Sequence, residues 1–349
     1  MPASRVSVVI PCYNYGRYLR ECVGTVVEQT GVEVRVLIVD DGSTDDSASV
    51  ASELAAGDPR IELRRHAVNH GHIATYNEGL QWATEPYALL LSADDLLTPG
   101  ALQRACALLE AHPEVGFVYG RPLVFRDDRH RPQPANGPGR WTIRRGRDWF
   151  AARCHTAENC VQSAEVVVRS RLLRQLGGYR DELPHTADLE MWMRLALYAD
   201  VGYITDSHQA CYRDHVTSMR RQRFGTPLAD LMQVRAAFAI LFHDHGAAIV
   251  DRSHLEALAT CALARRALRA ACRIYDWGPL DLAQAAGLES LARSLYPDAE
   301  ILGEARGLRW RKQLGARWCR RLQPGFVITH AQRLRRELTR RRLRRAGLG

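Results

Sequence analysis

Three apolar runs within the first 95 residues each end abruptly in a polar loop, and this repetition constrains the fold more than any other feature. RVSVVI (residues 5–10) runs into PCYN, EVRVLIVD (33–40) into DDGSTDD, and YALLL (87–91) into SADD. Runs of this length and β-branched content read as strands buried on both faces. Helical spacing appears between them: Tyr18, Cys22, Val26 and Val27 after the first run, Ala48, Val50 and Leu54 after the second, and Asn77 to Ala83 before the third. Ser43 or Thr44 is expected to cap the second of these helices. Alternating strand and helix predicts an α/β fold with a mostly parallel sheet and helices on both faces. Right-handed crossovers then bring the three loops to one carboxyl edge of the sheet, where open α/β sheets bind nucleotides. The Gly-x-Gly-x-x-Gly fingerprint of dinucleotide binding is absent.

Further along, a short strand is expected at 61–65 and others at Val115–Phe125 and Ala164–Arg169, with a Pro- and Gly-rich loop over Asp127–Arg140. Leu172–Leu176 reads as a helix stopped by Gly177-Gly178, and Asp188–Tyr198 as a helix with Met191, Leu195 and Tyr198 along one side. Beyond Thr226 only helical patterns remain. The expected organisation is an α/β domain over 1–225, a helical region over 226–305 and a basic amphipathic tail over 306–349.

The 349 residues carry a net charge of +9. Much of it sits between Arg306 and Arg345, where fifteen Arg or Lys residues face one acid, Glu337. Trp310, Leu314, Trp318 and Leu322 recur every four residues, and Val327, Ala331, Leu334 and Leu338 form a second stripe. Two readings stand: a basic helix resting on an anionic membrane, or a helix packed on its own domain with a solvated arginine face. The tail has no nucleic-acid motif, so no nucleic acid is expected as a partner. The opening residues lack a basic n-region and a long apolar run, and no stretch is long enough to span a bilayer, so the expected location is cytoplasmic, peripheral to the membrane if the tail docks. Nine scattered cysteines without a Cys-x-x-Cys pair read as reduced thiols. Cys154, His155 and Cys160 lack the spacing of a structural zinc site.

The motifs VSVVIPCYNYGRYL, VLIVDDGSTDDS, NHGHIATYNEGL, YALLLSADDLLTPGAL, LGGYRDEL, ADLEMWMRLA and YRDHVTSMR occur in one order across residues 5–220. Together they resemble the inverting, GT-A-fold glycosyltransferases of family 2. The resemblance implies a Rossmann-like fold and transfer of a sugar from a nucleotide diphosphate, UDP above others, to an acceptor hydroxyl on a glycan or lipid-linked acceptor in bacterial polysaccharide or glycoconjugate synthesis. It implies that Pro11 and Tyr13 line the base pocket with Asn14 in the same signature, that Asp41 accepts a hydrogen bond from the base, and that Asp94 lies on the ribose or phosphate side. Asp95 would bind Mg²⁺ or Mn²⁺, joined by His215 with Arg213 adding charge, and Asp188 would be the catalytic base. Hard carboxylate oxygens suit such a cation, which offsets charge on a diphosphate leaving group. Two acids common in relatives are missing, since Ser92 and Ala187 stand in their places. Glu190 lies two residues beyond Asp188, and helix geometry aims it elsewhere. Trp192 is either a sugar platform or a core residue. A nucleotidyltransferase would need a Gly-rich, Lys- or Arg-bearing loop after the first strand, which PCYNYGRYL is not. A non-catalytic nucleotide-sugar binding protein with a helical interaction module is the other alternative.

Overall fold

The computed structural model describes residues 3–215, 225–277 and 280–322. The three apolar runs form β1 (Ser4–Cys12), β2 (Val32–Asp40) and β4 (Tyr87–Leu90). Together with β3 (Ile61–Arg65) they pair in parallel, in the order β3-β2-β1-β4. The connections are α1 (Gly16–Val27), α2 (Ser47–Gly57) and α3 (His72–Trp82). Val6, Val8, Ile10, Val36, Ile38 and Leu89 pack with Leu19, Cys22 and Val26 of α1 in one buried cluster. Val9, Leu37 and Val39, which alternate with them along the strands, are buried as well. Each such side chain contributes about 1.5–3 kcal/mol by leaving water. Gly79 allows α3 to lie close on the sheet, because a Cβ there would stand 2.1 Å from Cγ1 of Val9.

Beyond β4 the sheet becomes mixed. β5 (Leu96–Leu97), β6 (Val115–Phe125), β7 (Trp141–Arg144), β8 (Val167–Arg169) and β9 (Asp200–Arg213) complete it. The order continues β4-β8-β6-β9-β5, with β7 also on β9; β6 and β9 run parallel, whereas β8, β5 and β7 pair antiparallel. α4 (Ala101–Ala111), α6 (Ser170–Leu176) and α7 (Ala187–Tyr198) belong to this unit. The helix expected at Asp188–Tyr198 is present, but Tyr198 is exposed and does not continue the buried side of Met191 and Leu195. The cap expected at Ser43 or Thr44 is absent, because α2 starts later, at Ser47, and both residues bond to Asn14 instead.

A second compact unit holds Arg147–Asn159, most of it in α5 (Gly146–Thr156), and the described residues from 225 onward. It contains α8 (Pro227–His245), α9 (Arg252–Asp276), α10 (Leu282–Leu295) and α11 (Gly303–Leu322). Thr226 caps α8, accepting the Ala229 N–H, with Pro227 at the first helical position. Arg311 of α11 forms a buried two-pronged bond to Asp276 at the end of α9, both contacts 2.8 Å. α11 buries Ala305, Leu308, Arg311 and Cys319, so the Trp310–Leu314–Trp318 stripe lies off its buried side, and Gly315 interrupts the helix with φ 73°. The side chain of Leu322 and the stripe from Val327 to Leu338 lie outside the described residues. No described helix is long and apolar enough to cross a membrane. All nine cysteines are free thiols, and Cys154, His155 and Cys160 gather no ligand cluster among the described residues.

Candidate active site

The edge loops are tied to one another before any ligand is considered. Asn14, just past β1, adopts a left-handed φ of 59°. Its N–H donates to Ser43 Oγ (3.0 Å), and its Oδ1 accepts the Thr44 N–H (2.8 Å). Asn14 therefore fastens PCYN to DDGSTDD, and its side chain serves the loops. Pro11 ends β1 half-buried, while Tyr13 is 45% exposed, an aromatic face open at the sheet edge. Gly42 has φ 71°, and a Cβ there would meet the Val68 carbonyl carbon at 2.7 Å. Only glycine lets this loop lie against the segment after β3.

Asp41 is buried and richly provided with donors. Its Oδ1 accepts the His70 N–H (2.8 Å) and contacts His66 Nδ1 (2.7 Å), and its Oδ2 accepts the Gly71 N–H (3.0 Å). His66 meets Glu78 Oε2 through its other ring nitrogen, also at 2.7 Å. Asp41, His66 and His70 place three ligand atoms within 4.8 Å of one another. The two rings, however, stack at 4.3 Å with 22° between planes, so their in-plane lone pairs run side by side and do not converge on one ion.

Asp94 and Asp95 form a turn after β4, closed by the Asp95 N–H to the Ser92 carbonyl (3.0 Å). Both are buried. Burial, then the charge of Asp94, push the Asp95 carboxyl well above the usual carboxylate range, opposed by the Arg213 N–H that donates to its Oδ1 at 2.9 Å. His215 Nε2 lies 2.8 Å from Asp94 Oδ2, so the histidine joins the turn at Asp94. Its ring packs edge-on against Tyr15, 5.6 Å away. Arg213 is not available to a diphosphate. Its guanidinium donates to the Asp94 carbonyl (2.9 Å), Asp128 and Glu21, beneath the rings of Tyr18 and Phe125.

Asp188 sits in the first turn of α7, where the helix dipole favours an acid, and its Oδ1 accepts the Leu189 N–H (2.7 Å). Glu190 is fully buried in a two-pronged bond with Arg194, at 2.9 and 3.0 Å. Arg194 in turn donates to the carbonyls of Gly177 and Gly178 at the end of α6. Glu190 is thus committed to the framework. Trp192 is buried against Phe117 and Tyr179, with its indole N–H unpaired among the described residues, and takes the core role.

Tyr76 on α3 was not singled out from the sequence, where it is one aromatic within NHGHIATYNEGL. Its phenol pKa is raised first by burial and then by the charges of Asp94, Asp188 and Asp95. Those carboxylates come from the turn after β4 and from α7, which are separated by nearly a hundred residues of chain. Its ring contacts His72 and Tyr179, each at 5.4 Å.

Comparison with known proteins agrees with this geometry. The profile of Glycosyl transferase family 2 matches residues 7–169, a span that takes in PCYN, DDGSTDD and SADD. The chain is 30% identical over 239 residues to the uncharacterized protein MT1568 of Mycobacterium tuberculosis, covering 66% of this chain and 71% of that one. It is 35% identical over 210 residues to the chondroitin synthase of Pasteurella multocida, covering 59% of this chain but only 20% of the synthase. The S. aureus TarS 1–349 structure in complex with UDP-GlcNAc shares the fold, with a TM-score of 0.63, 16% identity, and 93% and 92% of the two chains covered. The profile match spans all three acidic or polar edge loops and a relative is aligned over most of its length: the chain is a glycosyltransferase and belongs to glycosyltransferase family 2.

Proposed function

We propose that the protein transfers a sugar, with inversion, from a UDP-sugar to an acceptor hydroxyl on a growing bacterial polysaccharide or glycoconjugate. The observation that carries this reading is the pair of buried carboxylates, Asp94 and Asp95, side by side in the turn after β4 and within the span matched by the family 2 profile. Base and diphosphate would lie between the Asp41 and Asp94–Asp95 turns, with Tyr13 and Pro11 along the base. Asp94, Asp95 and His215 would supply carboxylate oxygens and one imidazole, donor types that suit Mg²⁺ or Mn²⁺. The crowding of Asp95 against Asp94 is the charge excess that a cation relieves. When bound, the cation would stabilise negative charge on the departing diphosphate. Asp188 would take the acceptor proton as the hydroxyl attacks from the face opposite the leaving group. The capture of Glu190 by Arg194 leaves Asp188 as the carboxylate of α7 suited to that task. Asp188→Asn should lower kcat for UDP release by about 10²–10⁴-fold with UDP affinity unchanged. Unaltered kcat would remove Asp188 from the reaction.

The second unit supports a peripheral membrane contact near a lipid-linked acceptor. Trp310 and Trp318 are 38% and 51% exposed on α11, among exposed Arg306, Arg309, Lys312, Arg317, Arg320 and Arg321. Interfacial tryptophans beside arginines suit an anionic headgroup layer. Sedimentation with phosphatidylglycerol vesicles should fall for the Trp310→Ser/Trp318→Ser protein, and equal sedimentation would end the idea.

A further inference from the structure

The hydrogen bonds around His66 ask for two protons on its ring. A neutral imidazole carries one N–H and one lone pair. Both ring nitrogens of His66 lie 2.7 Å from carboxylate oxygens, Nδ1 from Asp41 and Nε2 from Glu78. A neutral ring would set its lone pair against one of those oxygens at hydrogen-bond distance. Only the imidazolium donates to both. The residue is held from further sides, since the His66 backbone N–H donates to the Asp40 carbonyl (2.9 Å) and His70 stacks on the face of the ring. The charged groups facing it are Asp41 from the end of β2, Glu78 from α3, and Arg64 from its own strand, which reaches Glu78 Oε1 at 3.4 Å. Asp40, below, is paired with Arg65. Although burial opposes the charged ring, the bonds to Asp41 and Glu78 outweigh it and raise the His66 pKa.

The consequence concerns the nucleotide, and it rests on the proposed role of Asp41 at the base. A carboxylate has about four acceptor positions. His66 and the His70 N–H take those of Oδ1, and the Gly71 N–H takes one on Oδ2. One position on Oδ2 stays open. We infer that His66 is a positioning residue for donor binding: bridging Asp41 and Glu78 as an imidazolium, it fixes Asp41 with a single acceptor position for a base N–H, and nucleotide affinity falls as pH rises and this bridge loses its proton. The sign follows from which form makes both bonds: the protonated ring holds Asp41 still, and the neutral ring releases one of the two carboxylates.

The test is calorimetric binding of UDP with Mn²⁺ from pH 6 to 9, each variant expressed as a ratio to wild type so that titration of the ligand cancels. Glu78→Gln keeps shape and acceptor but removes a charge, on a side chain 32% exposed. It should move the midpoint of the affinity loss about one pH unit lower. His66→Gln, which can donate to only one carboxylate, should bind about tenfold more weakly at pH 6, with the pH response flattened. A merely structural role would lower the unfolding temperature of both variants and leave the profile in place. Asp41→Asn separates the two layers of the argument. If it weakens UDP binding while Glu78→Gln titrates like wild type, the His66 bridge is overturned and the base pocket stands. If Asp41→Asn binds UDP as wild type does, the base pocket falls and the bridge with it.

Discussion

The two acidic turns at the sheet edge solve opposite problems with the same residue type. At Asp41 the fold supplies donors to a buried carboxylate: two backbone N–H groups and an imidazole, with Asn14 locking the neighbouring loop. At Asp94–Asp95 it places two buried carboxylates side by side and gives Asp95 one backbone N–H. The first turn is finished before a ligand arrives, whereas in the second the two carboxylates crowd each other, with His215 on Asp94 and the Arg213 N–H on Asp95. Under the proposed function, the preformed acceptor would select a base by geometry, and the crowded carboxylates would hold a cation and through it a diphosphate.

Three experiments would break or sharpen that contrast. The largest effect is expected from Asp95→Ala, which should reduce metal-dependent UDP release from the donor by about 10³-fold, equivalent to about 4 kcal/mol. Metal-free affinity for uridine should be unchanged, because the Asp41 turn is complete without the ion. Loss of both together would mean that the turns are not independent.

A medium effect is expected at Glu165, where burial without compensation can be measured away from the site. Neither of its carboxylate oxygens finds a well-formed hydrogen bond among the described residues, and burial pushes its pKa to about 8, with the N–H groups of Gln162 and Gly120 opposing. Its folded pKa lies above the unfolded value, so its contribution to stability is fully present below about pH 4. That contribution is lost as pH rises through about 8. Glu165→Gln should therefore raise the unfolding temperature by about 5 °C at pH 9 and change it little at pH 4. An equal shift at both pH values would show that the carboxyl is solvated.

The smallest effect is expected from Asn14→Ala. It removes the acceptor for Thr44 and forces a left-handed φ on alanine, at a cost of about 1–2 kcal/mol. The variant should bind UDP roughly fivefold more weakly, with metal dependence intact.

Much of this was legible because the strands feeding the site are continuously apolar and the loops after them are not. β1, β2 and β4 and their acidic turns follow from that contrast alone. β9 was missed, since Asp206, Ser207, His208 and Gln209 interrupt its pattern in mid-strand. The structure answers each polar group locally: Asp206 accepts the Arg140 N–H, Ser207 donates to the Gly137 carbonyl, and Gln209 donates to the Ala101 carbonyl. His66 and Tyr76 were missed for another reason. Each matters through partners brought by other elements, and a single histidine or tyrosine carries no period or spacing that announces them. Arg213 shows the converse, a conspicuous cation near the right motif whose charge is already engaged by Asp128 and Glu21.

The segment Arg147–Asn159 lies early in the chain but belongs to the later unit. There Trp149 and Phe150 are buried, Phe150 stands 5.9 Å from Phe242, and Arg266 donates to the Ala157 carbonyl. A ribosome that has finished the sheet has therefore released a helix whose partners are still unmade. Shortening the chain at about residue 225 would take Phe242 from Phe150 and Arg266 from the Ala157 carbonyl. Any exchange of the helical half between enzymes of this kind must carry that internal segment along, or the chimera will inherit a helix without those partners.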